Sequence, residues 1–193
     1  MSKDIPGLLS IHCLSHRLNL CVTDLWGLDQ KLKEINKLVY NLCGLFSRSS
    51  SRIKLLKTHE KNLLNLDLKL IKPLDVRWMS KFSAIQRLLL LYPAILKTLQ
   101  DLVQKEGDLH YSCFILQLKD FRTLGHFMIL ADIGFIVNPL HLVLQKKNLE
   151  FDQVQATLAL LKFNLETLTN QNPQGNVFKL FLNLSKQLVY IGL

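Results

Sequence analysis

Residues 28–46, with the sequence LDQKLKEINKLVYNLCGLF, decide the fold class of this chain. Apolar side chains recur there at intervals of three and four residues, and Lys31, Lys33, Glu34 and Lys37 fall between them. Because a helix has about 3.6 residues per turn, this spacing collects the apolar side chains on one face. The stretch therefore predicts an amphipathic helix that packs against a core.

The sequence that follows predicts further helices and the breaks between them. The run SRSSSR at 47–52 ends the first helix, offers hydroxyl groups as N-caps and leads into a basic helix from Ile53. Lys72-Pro73 predicts an extended approach to the next helix, and Glu106-Gly107-Asp108 predicts an internal break. Further helices are predicted over 82–102 with a kink or restart at Pro93, over 111–145 with an interruption near Pro139, over 150–169 and over 175–191.

Composition agrees with this pattern. The 193 residues are 49% hydrophobic and include only 8 Gly and 5 Pro, which is too apolar for a disordered chain and too poor in turn residues for a β-sandwich. The sequence therefore predicts a mainly α fold, a multi-helix bundle. The apolar run Leu8–Cys13 predicts one short buried β-strand before it.

The net charge of +9 is confined to the first half of the chain. Residues 1–105 hold 17 Lys and Arg against 8 Asp and Glu, whereas residues 106–193 hold 7 of each kind. The sequence thus predicts a basic helical region over 28–105 and a neutral helical region over 106–193 that packs on it. Such asymmetry favours a polyanionic partner for the basic half, either nucleic acid or an acidic membrane surface.

Several classes of function lack support in the sequence. The four cysteines form no CxxC pair and lie in apolar stretches, which favours buried thiols in an intracellular, reducing compartment. The longest apolar runs are too short or too interrupted by polar residues for a membrane span, so no membrane partner is predicted. Phosphate-binding loops and the common hydrolase and zinc-protease motifs are absent, so no cofactor, metal or small-molecule substrate is predicted.

Two local motifs have competing interpretations. Cys13 and His16 form a CxxH pair that supplies half of a zinc site, but no second pair completes it, and packed side chains are the favoured interpretation. Arg77 and Trp78 stand next to each other in the basic half, where an indole can stack on an exposed base beside a guanidinium on phosphate. The alternative is a core Trp beside a surface Arg.

The basic residues themselves supply candidate phosphate contacts. Lysines and arginines recur from 31 to 61 over two predicted helices. A basic helix face of this kind binds phosphate but does not distinguish one base from another. The solvated surface of a helix gives the same pattern. The candidates for phosphate contact are Arg48, Arg52, Lys54, Lys57 and Lys81.

Four short motifs in this order resemble the hAT superfamily of transposases and the host proteins derived from them. They are HCLSHRLNL at 12–20, the FxxSxxR pattern at 46–52, DVRWMS at 75–80 and LADI at 130–133. Cys13, Asn19, Ser49 and Ser80 are the matching motif residues outside the proposed contacts.

The resemblance implies a fold and a set of roles. In that family an RNase H-like core is interrupted by a large helical insertion, so residues 1–27 are expected to be a remnant of the core and the rest to be insertion. By resemblance His16, Arg77 and Trp78 are expected at the DNA. None of the family's three catalytic carboxylates has a match here, so we expect no enzyme activity, and the family implies nuclear residence.

Three hypotheses of function follow from the sequence. The first is a catalytically inactive, transposase-derived module that binds DNA through its basic half. The second is a helical module for dimerisation or for a protein partner, which uses a seam of apolar residues from Val154 to Leu168. The third is a truncated relic without retained function.

Overall fold

The computed structural model describes residues 20, 23–24, 29–74 and 78–170. Seven helices make up most of this part of the chain, which confirms the predicted mainly α bundle. They are α1 Gln30–Ser47, α2 Ser50–Leu64, α3 Trp78–Leu90, α4 Tyr92–Glu106, α5 Leu109–Lys119, α6 Phe121–Leu144 and α7 Phe151–Asn170. The predicted strand over Leu8–Cys13 and the predicted helix over 175–191 lie outside the described residues.

The helices share one apolar core. The pairs in most extensive contact are α3 with α6, α2 with α4, α6 with α7 and α4 with α5, and α1 packs on α2, α3 and α6. The core runs from Ile35 in α1 to Val137 in α6, with Phe46, Tyr92 and Phe127 among its largest fully buried side chains. The helices of the basic half and those that follow residue 106 therefore pack against each other.

The joint between α1 and α2 follows the sequence prediction. Ser49 is the N-cap of α2, and its Oγ accepts a hydrogen bond from the Arg52 backbone N–H at 3.4 Å. The Arg52 Nη1 donates to the Leu45 carbonyl oxygen at 2.8 Å, and Phe46 is buried in the core. The carbonyl of Leu45 lies in the last turn of α1, where helical partners run out. The FxxSxxR residues thus close the end of one helix onto the start of the next.

The predicted restart at Pro93 is also confirmed. The chain ends α3 at Leu90 and begins α4 at Tyr92, with Pro93 in the first turn and a bend of 72° between the helices. Proline is tolerated in a first turn because its missing N–H has no helical partner there. The Tyr92 hydroxyl donates to the Leu118 carbonyl oxygen at 2.7 Å, which holds the end of α5 on α4.

The predicted interruption at Pro139 is wrong. Helix α6 continues through Pro139, and the break falls at Asp120, which ends α5 and begins α6. The Asp120 carboxylate accepts hydrogen bonds from the backbone N–H and the hydroxyl of Thr123 at 2.9 and 2.8 Å. A strong N-cap starts a helix, whereas a proline inside a helix removes one hydrogen bond and crowds the preceding turn, at a cost of about 3 kcal/mol that favourable packing can offset.

The neutral half exposes much apolar surface. Phe121, Ile129, Phe135 and Leu142 of α6 are all more than half exposed, whereas eight other residues of this helix are buried. Among the described residues, α6 is long and apolar enough to cross a membrane, and so are α3 and α4 together across their bend. Core helices of other proteins can be equally long and apolar, but only about a third of the most apolar stretch of α6 is buried. The sequence interpretation of α6 as a core helix holds for one face.

Candidate functional site

Three lysines share one face of α2. Lys54, Lys57 and Lys61 are spaced by three and four residues, and side chains at these intervals are neighbours on a helix surface. Lys54 and Lys61 are exposed, and Lys57 is half-buried. We call these residues the α2 lysine row.

The chain that follows α2 forms no helix, and side chains of α1 and α2 hold its backbone. We call residues 65–74 the connecting segment. Glu60 Oε1 accepts a hydrogen bond from the Leu68 backbone N–H. The Cys43 thiol donates to the Ile71 carbonyl oxygen at 3.2 Å. Backbone polar groups that leave water need such partners, so these two side chains fix the path of the segment.

Helix α3 holds the same segment from the other side. Arg87 Nη1 donates to the Lys69 carbonyl oxygen at 2.9 Å. Ser80 Oγ accepts from the Leu74 backbone N–H at 2.7 Å and lies 3.1 Å from the Leu74 carbonyl oxygen, to which its hydroxyl donates. Four side chains from three helices thus replace the hydrogen bonds that a regular element would make for itself.

A pocket of about 380 Å³ lies between α1, α2 and the connecting segment. Its volume falls in the range of about 300–1,000 Å³ that is typical of ligand pockets. Most of its wall is apolar and is formed by Cys43, Phe46, Ile53, Leu56, Leu68 and Leu70. Lys57, Lys69 and Lys72 line it as well, so we call it the lysine pocket.

One carboxylate also lines the lysine pocket. Glu60 is only 1% exposed, and its Oε1 is used by Leu68. Its Oε2 is buried and has no hydrogen-bond partner among the described residues. A buried polar atom without a partner costs about 1–3 kcal/mol, and more when it is charged. The pocket is thus lined by a residue with one hydrogen-bond acceptor that the described part of the chain does not satisfy.

Burial and the Lys72 ammonium have opposite effects on the pKa of the Cys43 thiol in the lysine pocket. Burial raises the pKa of Cys43 to about 11, and the nearby Lys72 ammonium partly opposes this shift. Lys72 Nζ itself lies 5.0 Å from the centre of the Tyr40 ring, within the range of a cation–π contact. The thiol is therefore protonated at neutral pH and donates a hydrogen bond, and the ring positions Lys72.

Lys57 has a carboxylate partner. The Lys57 ammonium is bonded to Asp67, and this hydrogen bond raises the pKa of Lys57 and lowers the pKa of Asp67. Asp67 is exposed, and an exposed ion pair of this kind is readily exchanged for another partner. Lys69 and Lys72 are both exposed.

The phosphate candidates predicted from the sequence have different environments. Arg48 and Lys54 are exposed and open to a ligand. Arg52 is half-buried and donates to Leu45, and Lys57 is paired with Asp67. Lys81 is only 7% exposed, so little of its surface is left for a phosphate and we do not include it in the interface.

The motif residues that the structure describes have structural roles. Ser49 caps α2, and Ser80 holds Leu74 at the end of the connecting segment. Trp78 begins α3, but its side chain lies outside the described part of the chain. Cys13, His16, Asn19 and Arg77 also lie outside the described residues.

Other candidate sites are weaker. A pocket of about 320 Å³ between α1 and the start of α6 is lined by Lys31, Glu34 and Thr123, but Lys31 is already paired with Glu34 at 3.5 Å and with Asp120 at 4.0 Å. Over the described ranges, no group of three or more His, Cys, Asp or Glu side chains comes together to hold a metal.

Sequence reasoning missed the residues that build the lysine pocket. Lys69 and Lys72 fall in a stretch without helical spacing, where no pattern places their side chains. Glu60 stands between His59 and Lys61 in a polar stretch of α2 that predicts an exposed carboxylate. The cysteine prediction holds for Cys43, which is buried, and fails for Cys113, which is exposed.

Comparison with known proteins adds no relationship. No family model matches the sequence. No solved structure gives a significant match to the fold. The relationship to hAT transposases therefore stays a prediction from the motifs.

Proposed function

We propose that this chain is a nucleic-acid-binding helical module without catalytic activity, derived from an hAT transposase. The observation that carries the proposal is the convergence of cations from two parts of the basic half. Lys57 of the α2 lysine row lines the lysine pocket together with the exposed Lys69 and Lys72, and Lys54 and Lys61 flank Lys57 on the same face of α2. Only one of these five cations has a carboxylate partner among the described residues, which is Lys57 with Asp67. An array of this kind suits a phosphate backbone.

The test is a titration of a fluorescently labelled DNA duplex with a short unpaired end, followed by anisotropy at low and at physiological salt. We expect binding that weakens as salt rises, because bound lysines release counterions from the phosphates. The double variant Lys54→Gln/Lys61→Gln is expected to weaken binding about threefold or more at low salt. The matched control is Lys147→Gln/Lys162→Gln, which removes two exposed lysines from the neutral half.

Two outcomes would contradict the proposal. One is an absence of binding at low salt, and the other is an equal loss in both double variants. The same titration with Trp78→Ala tests the stacking role that the resemblance gives to Trp78. Binding that is indifferent to this change would remove Trp78 from the interface. Nuclear residence and the absence of enzyme activity are further parts of the proposal.

A second function is favoured by the apolar surface of α6. Four large apolar side chains are exposed along this one helix, and exposed patches of this kind mark contacts with other proteins. In the predicted α7 seam, Val154 is buried and Leu161 half-buried, while Leu158 and Leu165 are exposed. We expect sedimentation velocity to show a self-associated species that Ile129→Asp/Phe135→Asp abolishes. The control is Leu90→Asp on α3, and a monomer in all three proteins would contradict this function.

A further inference from the structure

The lysine pocket combines three features that constrain what it can bind. Its wall is mostly apolar, three lysines line it, and the buried Glu60 Oε2 lacks a hydrogen-bond partner among the described residues. An apolar acid would suit the wall and the lysines but would repel the carboxylate. An alkyl amine would suit the carboxylate and the wall but would be repelled by the lysines. A matching ligand therefore carries negative charge at one end and a hydrogen-bond donor at the other.

An unpaired nucleotide has this distribution of groups. Its phosphates are anionic, its base is flat and largely apolar on both faces, and the edge of the base carries N–H donors. Because Glu60 Oε1 is already bonded to Leu68, only one oxygen of the carboxylate is free to accept. A single acceptor of this kind suits an exocyclic amino group, as carboxylates that accept from the cytosine amino group illustrate.

We propose that the lysine pocket takes one unpaired base of a nucleic-acid strand and prefers bases that carry an exocyclic amino group. Glu60 Oε2 accepts the hydrogen bond of that amino group, while Lys69 and Lys72 hold the flanking phosphates. Thymine is disfavoured because it lacks this amino group, and its single N–H donor, on N3, lies between two carbonyl oxygens that the carboxylate repels. This inference rests on the proposed nucleic-acid binding and adds base preference to it.

The experiment compares labelled single strands of oligodeoxycytidine and oligothymidine of equal length, titrated by anisotropy at low salt with the full chain. We expect the native chain to bind the cytidine strand about fivefold or more tightly than the thymidine strand. Glu60→Gln keeps the shape of the side chain and its acceptor for Leu68 but removes the charge. We expect it to reduce the preference to less than about twofold, because an amide nitrogen in place of Oε2 cannot accept from the cytosine amino group and does not repel the thymine carbonyl oxygens.

A second variant tests the pocket without changing Glu60. Ile53 lines the pocket and is 39% exposed, so Ile53→Trp places an indole in its mouth with little demand on the core. We expect this variant to bind both strands with the affinity that the native chain has for thymidine. Exposed Leu63→Trp, on the same helix but away from the pocket lining, is the control and should keep the preference.

The outcomes separate this inference from the proposed function. Equal binding of both strands by the native chain overturns the base preference and leaves nucleic-acid binding intact. A preference that persists in Glu60→Gln and in Ile53→Trp overturns the role of the pocket. No binding of either strand overturns the proposed function together with this inference.

Discussion

Gly134 lies at a close approach between α6 and α3. A Cβ atom built at this position would lie 2.7 Å from the Cβ of Phe82 and 3.3 Å from Nε2 of Gln86. The Gln86 amide also donates to the Ala131 carbonyl oxygen at 3.0 Å, one turn earlier on α6. The absence of a side chain at Gly134 thus lets the two helices approach closely and lets Gln86 bond across them.

Gly134→Ala is expected to lower the free energy of unfolding by about 1–3 kcal/mol, because the added methyl group has no room. Gly125→Ala on the same helix is the matched control, since nothing lies within 4 Å of a Cβ built there. That change should stabilise the protein by up to about 1 kcal/mol through helix propensity alone. Urea denaturation of both variants measures the difference, and a similar effect at the two glycines would contradict the close approach.

Cys43 and Tyr92 link stability to alkaline pH. Burial raises the pKa of Cys43 to about 11, against opposition from Lys72, and burial raises that of Tyr92 to about 12. Each group is then ionised in the unfolded chain at a lower pH than in the folded protein. The unfolded state therefore binds fewer protons in that window, and stability falls as pH rises.

For Cys43 we expect the loss to extend from about pH 9 to about pH 11, with an upper slope of about 1.4 kcal/mol per pH unit. Thermal or urea denaturation of the native protein and of Cys43→Ala over this pH window separates the contribution of Cys43 to stability from the contribution of the titrating lysines. The native protein should lose more stability than the variant across the window. Parallel curves would contradict a buried, protonated thiol.

At the scale of elements, the helices are joined by side chains that serve two helices at once. Asp120 ends α5 and caps α6. Arg52 belongs to α2, but its side chain donates a hydrogen bond to the Leu45 carbonyl oxygen in the last turn of α1. Ser49 starts α2 one residue after the C-cap of α1 at Arg48. Such short connections fix the angle between helices because they leave no residues that rotate freely.

Ser49→Ala is expected to lower the free energy of unfolding by about 1 kcal/mol, because it removes the N-cap acceptor for the Arg52 N–H. Ser50→Ala is the control, since Ser50 is exposed and already inside α2. It should change stability by less than about 0.5 kcal/mol. Both are measured by chemical denaturation, and equal effects would argue against a capping role for Ser49.

At the scale of the whole molecule, the net charge and the most exposed aromatic side chains belong to different halves of the chain. The net charge of +9 belongs to residues 1–105, whereas the exposed aromatic residues Phe121, Phe135, Phe151 and Phe163 all lie after residue 106. A polyanion and an apolar partner would therefore meet different surfaces. The two proposed functions are compatible in one molecule.

The salt dependence of binding reports how many lysines touch phosphate. For a single strand, the slope of log affinity against log salt changes by about 0.7 for each phosphate contact. Lys69→Gln/Lys72→Gln should thus reduce the slope by about 1.4, while Lys147→Gln/Lys162→Gln should leave it unchanged. An unchanged slope in the first variant would place the phosphates elsewhere on the basic half.

The sequence predicted those parts of the fold that local spacing determines. Ile85, Leu88 and Ile95 stand at helical intervals and are all buried, because this spacing places apolar side chains on the face of a helix that packs against the core. The sequence predicts a break near Pro139, but the break lies at Asp120. Whether a cap or an internal proline ends a helix depends on packing, which the sequence does not display. Glu60 and Lys69 became site residues through the path of the connecting segment, which no periodicity encodes.

The connecting segment has a kinetic consequence. Its Leu68 and Leu74 amides are bonded to side chains of α2 and α3. Such bonds need α2 and α3 in place, so we expect the segment to open more readily than the core helices. Its amide hydrogens should exchange with solvent through local opening, ahead of the core helices. The connecting segment forms one wall of the lysine pocket, so we expect this wall to open locally while the helical bundle stays folded.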